Sequence, residues 1–127
     1  MGLFQRPERS GLLARLVRAT FLSLAGLRAA FGTQAAFRLE VFLLLVAVPA
    51  AWMLTRDPVE RALLIGSWML VIVVEMLNSA IETVVDRIGK EPHELSGRAK
   101  DLGSAAVFCS ILLAVGVWLL LLSGPRY

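Results

Sequence analysis

The run from Ser104 to Leu122 contains no charged residue, and a stretch of that length is about enough to cross the roughly 30 Å hydrocarbon core of a bilayer as a helix. A second run, Phe37 to Leu54, is interrupted only by Arg38 and Glu40 near its start. Between them, Ala62 to Val74 is apolar but too short to cross alone. Continued through a more polar stretch to Ile88, it spans. With 57% hydrophobic residues in 127, the chain is expected to be an all-α integral membrane protein. It reads as a single domain over 1–127, with spans at about 37–54, 61–88 and 95–122.

The polar stretch of the middle span needs a reason. Relative to Glu75 at 0°, a helix of about 100° per residue places Asn78, Ser79, Glu82 and Asp86 near about −60°, +40°, −20° and +20°. All five share one stripe, while Met76, Leu77, Ala80, Ile81, Val84 and Val85 make the rest of that helix mostly apolar. An unpaired charge in hydrocarbon costs at least about 2.5–3.5 kcal/mol, so ionisable groups there mark a functional site or a paired interior.

The net charge of +3 reports topology rather than nucleic-acid binding. Arg6, Arg9, Arg15, Arg18, Arg28 and Arg38 precede or open the first span, and Arg87, Lys90, Arg98 and Lys100 surround the second connection. In the first connection Arg56 and Arg61 are balanced by Asp57 and Glu60, and the tail carries only Arg126. The positive-inside rule then puts the N-terminus and the 87–100 connection in the cytoplasm and the C-terminus outside. The first long apolar run starts near residue 39 behind six arginines, a pattern expected to lack a cleavable leader. Residues 1–10, polar and carrying Pro7, are expected to be disordered.

From Gly11 to Phe31, Leu12, Leu16, Ala19, Ser23, Leu27 and Ala30 recur at helical spacing among Arg15, Arg18 and Arg28. An amphipathic helix lying in the cytoplasmic interface is expected there, broken at Gly32 and Thr33. Pro49 is expected to kink the first span. Arg56-Asp57-Pro58 is a turn signal, with Asp57 biased to extended backbone by the following proline. Cys109, the one cysteine, can form no intrachain disulfide.

No phosphate-cradling GxxxxGK[ST], strand-borne GxGxxG or kinase catalytic loop is present. The chain offers instead Glu75 and Glu82 on one helix sector, about 10.5 Å apart along the axis, with Asn78 between them. That is too far for one metal and suits two roles, a recessed general base and a shallower Mg²⁺ ligand. At the start of the third span Glu94, Arg98 and Asp101 share a face, while Lys100 projects from another as a mobile charge for phosphate or a neighbouring subunit. The residue pattern by itself also accommodates interhelical glue or a proton relay in a small oligomer or transporter. Arg98 with Asp101 also fits a surface ion pair, and His93 a plain loop residue.

The segments EMLNSAIETVVDRIG (75–89) and HELSGRAKDLGSAAV (93–107), with GLRAAF (26–31) and AAFRLE (35–40) upstream, resemble the prokaryotic diacylglycerol kinase family in its Gram-negative inner-membrane form. The resemblance implies a homotrimer of three-span subunits with surface helices and sites at subunit interfaces. It also implies transfer of the γ-phosphate of ATP, with Mg²⁺, to diacylglycerol, yielding phosphatidic acid. Carried over, Glu75 resembles the proton acceptor, Asn78 its orienting neighbour and Glu82 a metal ligand that also meets the nucleotide. Arg15, Glu91, His93, Lys100 and Asp101 resemble nucleotide contacts. Arg28, Arg38, Glu40 and Ser104 correspond to the lipid cleft. A related acceptor such as undecaprenol is the alternative, the match around SGR favouring diacylglycerol. Two positions depart: Gln34 stands where the family usually has a metal-binding glutamate, and Leu22 where it often has an aromatic residue beside the nucleotide.

The charge pattern makes a topological prediction. In a Cys109→Ala background, a cysteine in the 89–92 loop should react with an impermeant thiol reagent only after the membrane is opened, and one at Gly124 should react in intact spheroplasts. The reverse pattern would keep the polar end of the middle span from cytoplasmic ATP.

Overall fold

The computed structural model describes residues 11–125 and contains four helices in chain order: α1 (Leu12–Thr33), α2 (Ala35–Leu54), α3 (Pro58–Ile88) and α4 (Glu94–Ser123). The expectations for residues 1–10 and for Arg126 lie outside the described residues. The chain divides into two units between Thr33 and Gln34.

The first unit is α1, which has no buried residue. Its hydroxyl side chains are satisfied within the helix: Thr20, Ser23 and Thr33 each donate to the carbonyl four residues back, at 2.9, 2.9 and 2.7 Å. The helix includes Gly32 and Thr33, where a break is expected, and ends at Thr33. Gln34 then breaks it with extended backbone (φ −112°, ψ 108°) and no side-chain cap.

In the second unit all three helices are long and apolar enough to cross a membrane, with 20, 31 and 30 residues. Their bounds fall within three residues of the expected spans. α2 continues through Pro49 as helix. Thr55 and Asp57 are both extended, and Asp57 caps α3 by accepting from the Val59 N–H at 2.7 Å, with Pro58 in the first turn, where its missing N–H has no helical partner to lose. Around this cap the Thr55 hydroxyl donates to Glu60, Arg61 Nε donates to the Thr55 carbonyl at 2.8 Å, and the Arg61 guanidinium lies 4.0 Å from the Trp52 ring centre.

α3 packs against both α2 and α4. Its buried residues include Leu64, Ser67, Val71, Glu75, Asn78 and Val85, repeating every three or four positions as one stripe turned into the bundle. Facing it, α4 buries only the small residues Gly103, Ser110 and Ala114, which let two helices approach closely where no water drives them together. Two indoles stitch the bundle. Trp68 Nε1 donates to the Glu40 carbonyl at 2.8 Å, and Trp118 Nε1 to the Leu64 carbonyl at 3.1 Å. Buried indole N–H groups require such acceptors.

Length places the polar residues. At 1.5 Å per residue the 31 residues of α3 extend about 46 Å, about three turns more than a hydrocarbon core of about 30 Å. α3 ends and α4 begins at the same, polar extremity. There Gly89 caps α3, donating to the Val85 carbonyl at 3.3 Å, and His93 Nδ1 caps α4 by accepting from the Leu95 N–H at 3.1 Å.

Removing the α3 cap should loosen the opposite extremity alone. Asp57→Ala is expected to lower stability by about 1 kcal/mol, read as a shift in the reversible unfolding curve in mixed micelles. An unshifted curve would mean that the carboxylate does not cap.

Candidate active site

Along α3 the polar stripe changes exposure in steps. Glu75 and Asn78 are each 7% exposed, Glu82 one turn further is half-buried, and Asp86 is exposed. Helical geometry makes this gradient: all four lie on the stripe that faces the bundle, and the bundle opens toward the extremity where α3 leaves the membrane. The Asn78 amide nitrogen donates to Glu82 Oε1 at 3.4 Å, a contact at the long end of hydrogen bonding.

Among the described residues, two buried side-chain oxygens have no hydrogen-bond partner, Asn78 Oδ1 and Glu40 Oε2. Buried polar atoms are nearly always satisfied, so both invite explanation. Glu40, on α2 and 7% exposed, interacts electrostatically with Glu75, and Glu75 in turn with Glu82. Glu40 on α2 and Glu75 on α3 are equally buried, and Glu82 is the shallower of the three carboxyl groups. Asn78 Oδ1 points at α4: a Cβ built on Gly103 would overlap it.

Lys100 extends from α4 to α3, where its ammonium donates to Asp86 Oδ1 at 2.7 Å. The helical wheel sets Lys100 apart from the Glu94 face, and the structure shows where it points instead: across the interhelical seam. Arg98 pairs with Glu94 at 3.2 Å, one turn back on its own helix, rather than with Asp101, which is exposed.

The α3–α4 connection encloses an open cavity of about 730 Å³ lined by Asp86, Lys90, Glu91, His93, Glu94 and Lys100, among others. Its volume lies within the usual range for small-molecule sites. Three of the expected nucleotide contacts, Glu91, His93 and Lys100, thus come together here. Glu82 and Asp101 do not line this cavity. Of the expected lipid-cleft residues, Glu40 alone is buried. Arg38 and Ser104 are exposed on α2 and α4, Arg15 and Arg28 are exposed on α1, and Gln34 is half-buried at the break before α2.

Among the described residues no three His, Cys, Asp or Glu side chains gather as a metal cluster. The donor set nonetheless suits Mg²⁺, which takes one or two carboxylates and fills its remaining positions with water and phosphate oxygens. Glu82 accepts from Asn78 through Oε1, leaving Oε2 as a hard anionic donor. Sequence reasoning missed the close approach of Gly103 to Asn78 and the Asp86–Lys100 pair. The sequence places Asp86 on the Glu75 stripe, whereas only three-dimensional packing shows that Lys100 reaches it and what a glycine on α4 admits.

A membrane bundle with carboxylates graded along one helix, beside a solvent-open cavity carrying cations, has the parts of a lipid-modifying enzyme. Residues 21–122 match the family described as prokaryotic diacylglycerol kinase. The chain is 57% identical over 108 residues to a diacylglycerol kinase of Escherichia coli K12, covering 85% of this chain and 88% of that protein. Diacylglycerol kinases of Haemophilus influenzae and Pseudomonas aeruginosa are 50% and 47% identical, covering 84% and 88% of this chain and 90% and 91% of theirs. The chain belongs to the prokaryotic diacylglycerol kinase family and is a membrane-embedded lipid kinase.

Proposed function

We propose that this chain transfers the γ-phosphoryl group of ATP to the free hydroxyl of diacylglycerol, forming phosphatidic acid and ADP at the cytoplasmic boundary of a bacterial inner membrane. The observation that carries the reading is the exposure gradient along α3, from a recessed Glu75 to a shallower Glu82 that accepts from Asn78. A lipid hydroxyl arrives from the bilayer and a nucleotide from water. The two substrates can meet only where such a gradient crosses the boundary.

Glu75 accepts the proton of the lipid hydroxyl as its oxygen bonds to the γ-phosphorus. The bond from that phosphorus to the β–γ bridging oxygen breaks, and ADP carries away the electron pair. Asn78 orients the Glu82 carboxylate. Glu82, with the Gln34 amide oxygen as a neutral neighbour, would hold Mg²⁺, which when bound supplies positive charge to the phosphates. Lys100 faces the phosphates from α4. Its ion pair with Asp86 is solvent-exposed, and pairs of that kind exchange readily for a phosphate partner. Glu91 and His93 hold the nucleotide at the loop, Asp101 and Arg15 complete its surroundings, and Arg28, Arg38, Glu40 and Ser104 line the path of the lipid. In-line phosphoryl transfer demands chiefly positioning and charge stabilisation, which a small helical site can supply.

We also infer that α1 lies in the cytoplasmic interface, that the N-terminus is cytoplasmic and the C-terminus periplasmic, and that subunits assemble as homotrimers. Arginines interspersed along α1, the exposure of its apolar residues Leu12, Leu16 and Leu27 and the family relationship support this.

The test is radiolabelled phosphate incorporation in mixed micelles with diacylglycerol, with undecaprenol or with no added acceptor. Label should enter phosphatidic acid only when diacylglycerol is present. Preferential labelling of undecaprenol would reassign the acceptor, and no labelled lipid would remove the kinase reading. Gln34 gives a sharper prediction. Gln34→Glu adds a charge beside the proposed metal and should lower the magnesium needed for half-maximal rate, while Gln34→Ala should raise it or leave it unchanged. A titration at saturating ATP decides, and an unmoved or weakened curve for Gln34→Glu would take Gln34 out of the metal site.

A further inference from the structure

On α4, Gly103 is buried beside Asn78 of the stripe. A Cβ there would overlap Asn78 Oδ1 and lie 3.2 Å from Asn78 Cγ. The hydrogen that such a Cβ would replace therefore points at the amide oxygen, which has no other partner among the described residues. A Cα–H donor to a carbonyl oxygen is weak but recurs where helices pack closely. The opposite end of the same amide donates to Glu82 Oε1 at 3.4 Å. One glycine thus determines whether the amide can lie with its oxygen on α4 and its nitrogen on the carboxylate.

We propose that Gly103 is a positioning residue for phosphoryl transfer, admitting the Asn78 amide against α4 so that its nitrogen holds the Glu82 carboxylate in orientation. The inference rests on the assignment of Asn78 and Glu82 given above. The obstacle that a methyl group at 103 would meet is a side chain, not backbone, so α3 and α4 can keep their packing while Asn78 rotates. Alanine is also the better helix former. The Asn78–Glu82 contact is already long, so a displacement of a few tenths of an ångström breaks it. The substitution therefore acts on orientation and leaves the fold in place.

The experiment compares wild type, Gly103→Ala, Asn78→Ser and the double variant, with Gly116→Ala as a control on the same helix, where an added Cβ meets nothing within 4 Å. Radiolabelled ATP keeps slow variants quantifiable. Gly103→Ala should lower kcat at least about tenfold and raise the magnesium requirement, with no loss in the unfolding midpoint and no change in Gly116→Ala. Serine at 78 vacates the space that the methyl group needs, so the double variant should match Asn78→Ser alone, the non-additivity expected of a contact pair. Wild-type kcat in Gly103→Ala beside an impaired Asn78→Ser would overturn the role of Gly103 and leave that of Asn78 standing. Losses that multiply in the double variant, or an equal loss in Gly116→Ala, would overturn it as well. Full activity in Asn78→Ser would remove both assignments.

Discussion

Burial of a carboxyl and an amide, Glu75 and Asn78, on the bundle-facing stripe of α3 is the constraint on which the rest depends. Leu64, Val71, Glu75 and Asn78 follow one another on that stripe, so the positions that would complete an apolar core carry an acid and an amide instead. Such groups are tolerated in a bundle only where neighbouring helices supply partners or room. α2 brings Glu40 into the same electrostatic environment, and α4 brings a glycine rather than a side chain. The stripe is weak as packing, and that weakness makes a site.

The division of labour follows from where α3 leaves the membrane. Around Leu64 and Trp68, α3 is clamped by indole N–H groups on main-chain carbonyls, one from its own Trp68 to α2 and one from Trp118 of α4. Its outer end loosens into the solvent-open cavity at the 89–93 connection. The bundle thus buries Glu75, while Glu91 and His93, which we propose meet the nucleotide, sit on an exposed turn. Glu82 lies between the two regimes and belongs to both.

Much of this was legible in the sequence because the bilayer is a severe filter. Uninterrupted apolar length identified α4, and Arg56-Asp57-Pro58 marked the turn before α3, which starts at Pro58 rather than near residue 61. The 100° periodicity put Glu75, Asn78 and Glu82 on one face before any contact was known. The partners across the seam were not legible, since periodicity fixes a face within one helix but no register between helices. Lys100 was off the Glu94 face on the wheel, yet that direction is the one that reaches Asp86. Gly103 carried no chemical signal, for its contribution is the absence of a side chain opposite Asn78. The break at Gln34 was placed slightly early, because Gly32 and Thr33 are poor helix formers that α1 nonetheless accommodates, with the Thr33 hydroxyl bonded to the Ala29 carbonyl.

The central claim is that Glu75, buried on the α3 stripe, takes the proton of the lipid hydroxyl. Turnover of Glu75→Gln measures it most directly, since glutamine keeps the size and hydrogen-bonding capacity of the side chain and removes only the base. Lipid phosphorylation should fall at least about 10²-fold, with ATP binding, assembly and the unfolding curve preserved. Turnover near that of the wild type, or a loss that tracks impaired assembly, would contradict the account.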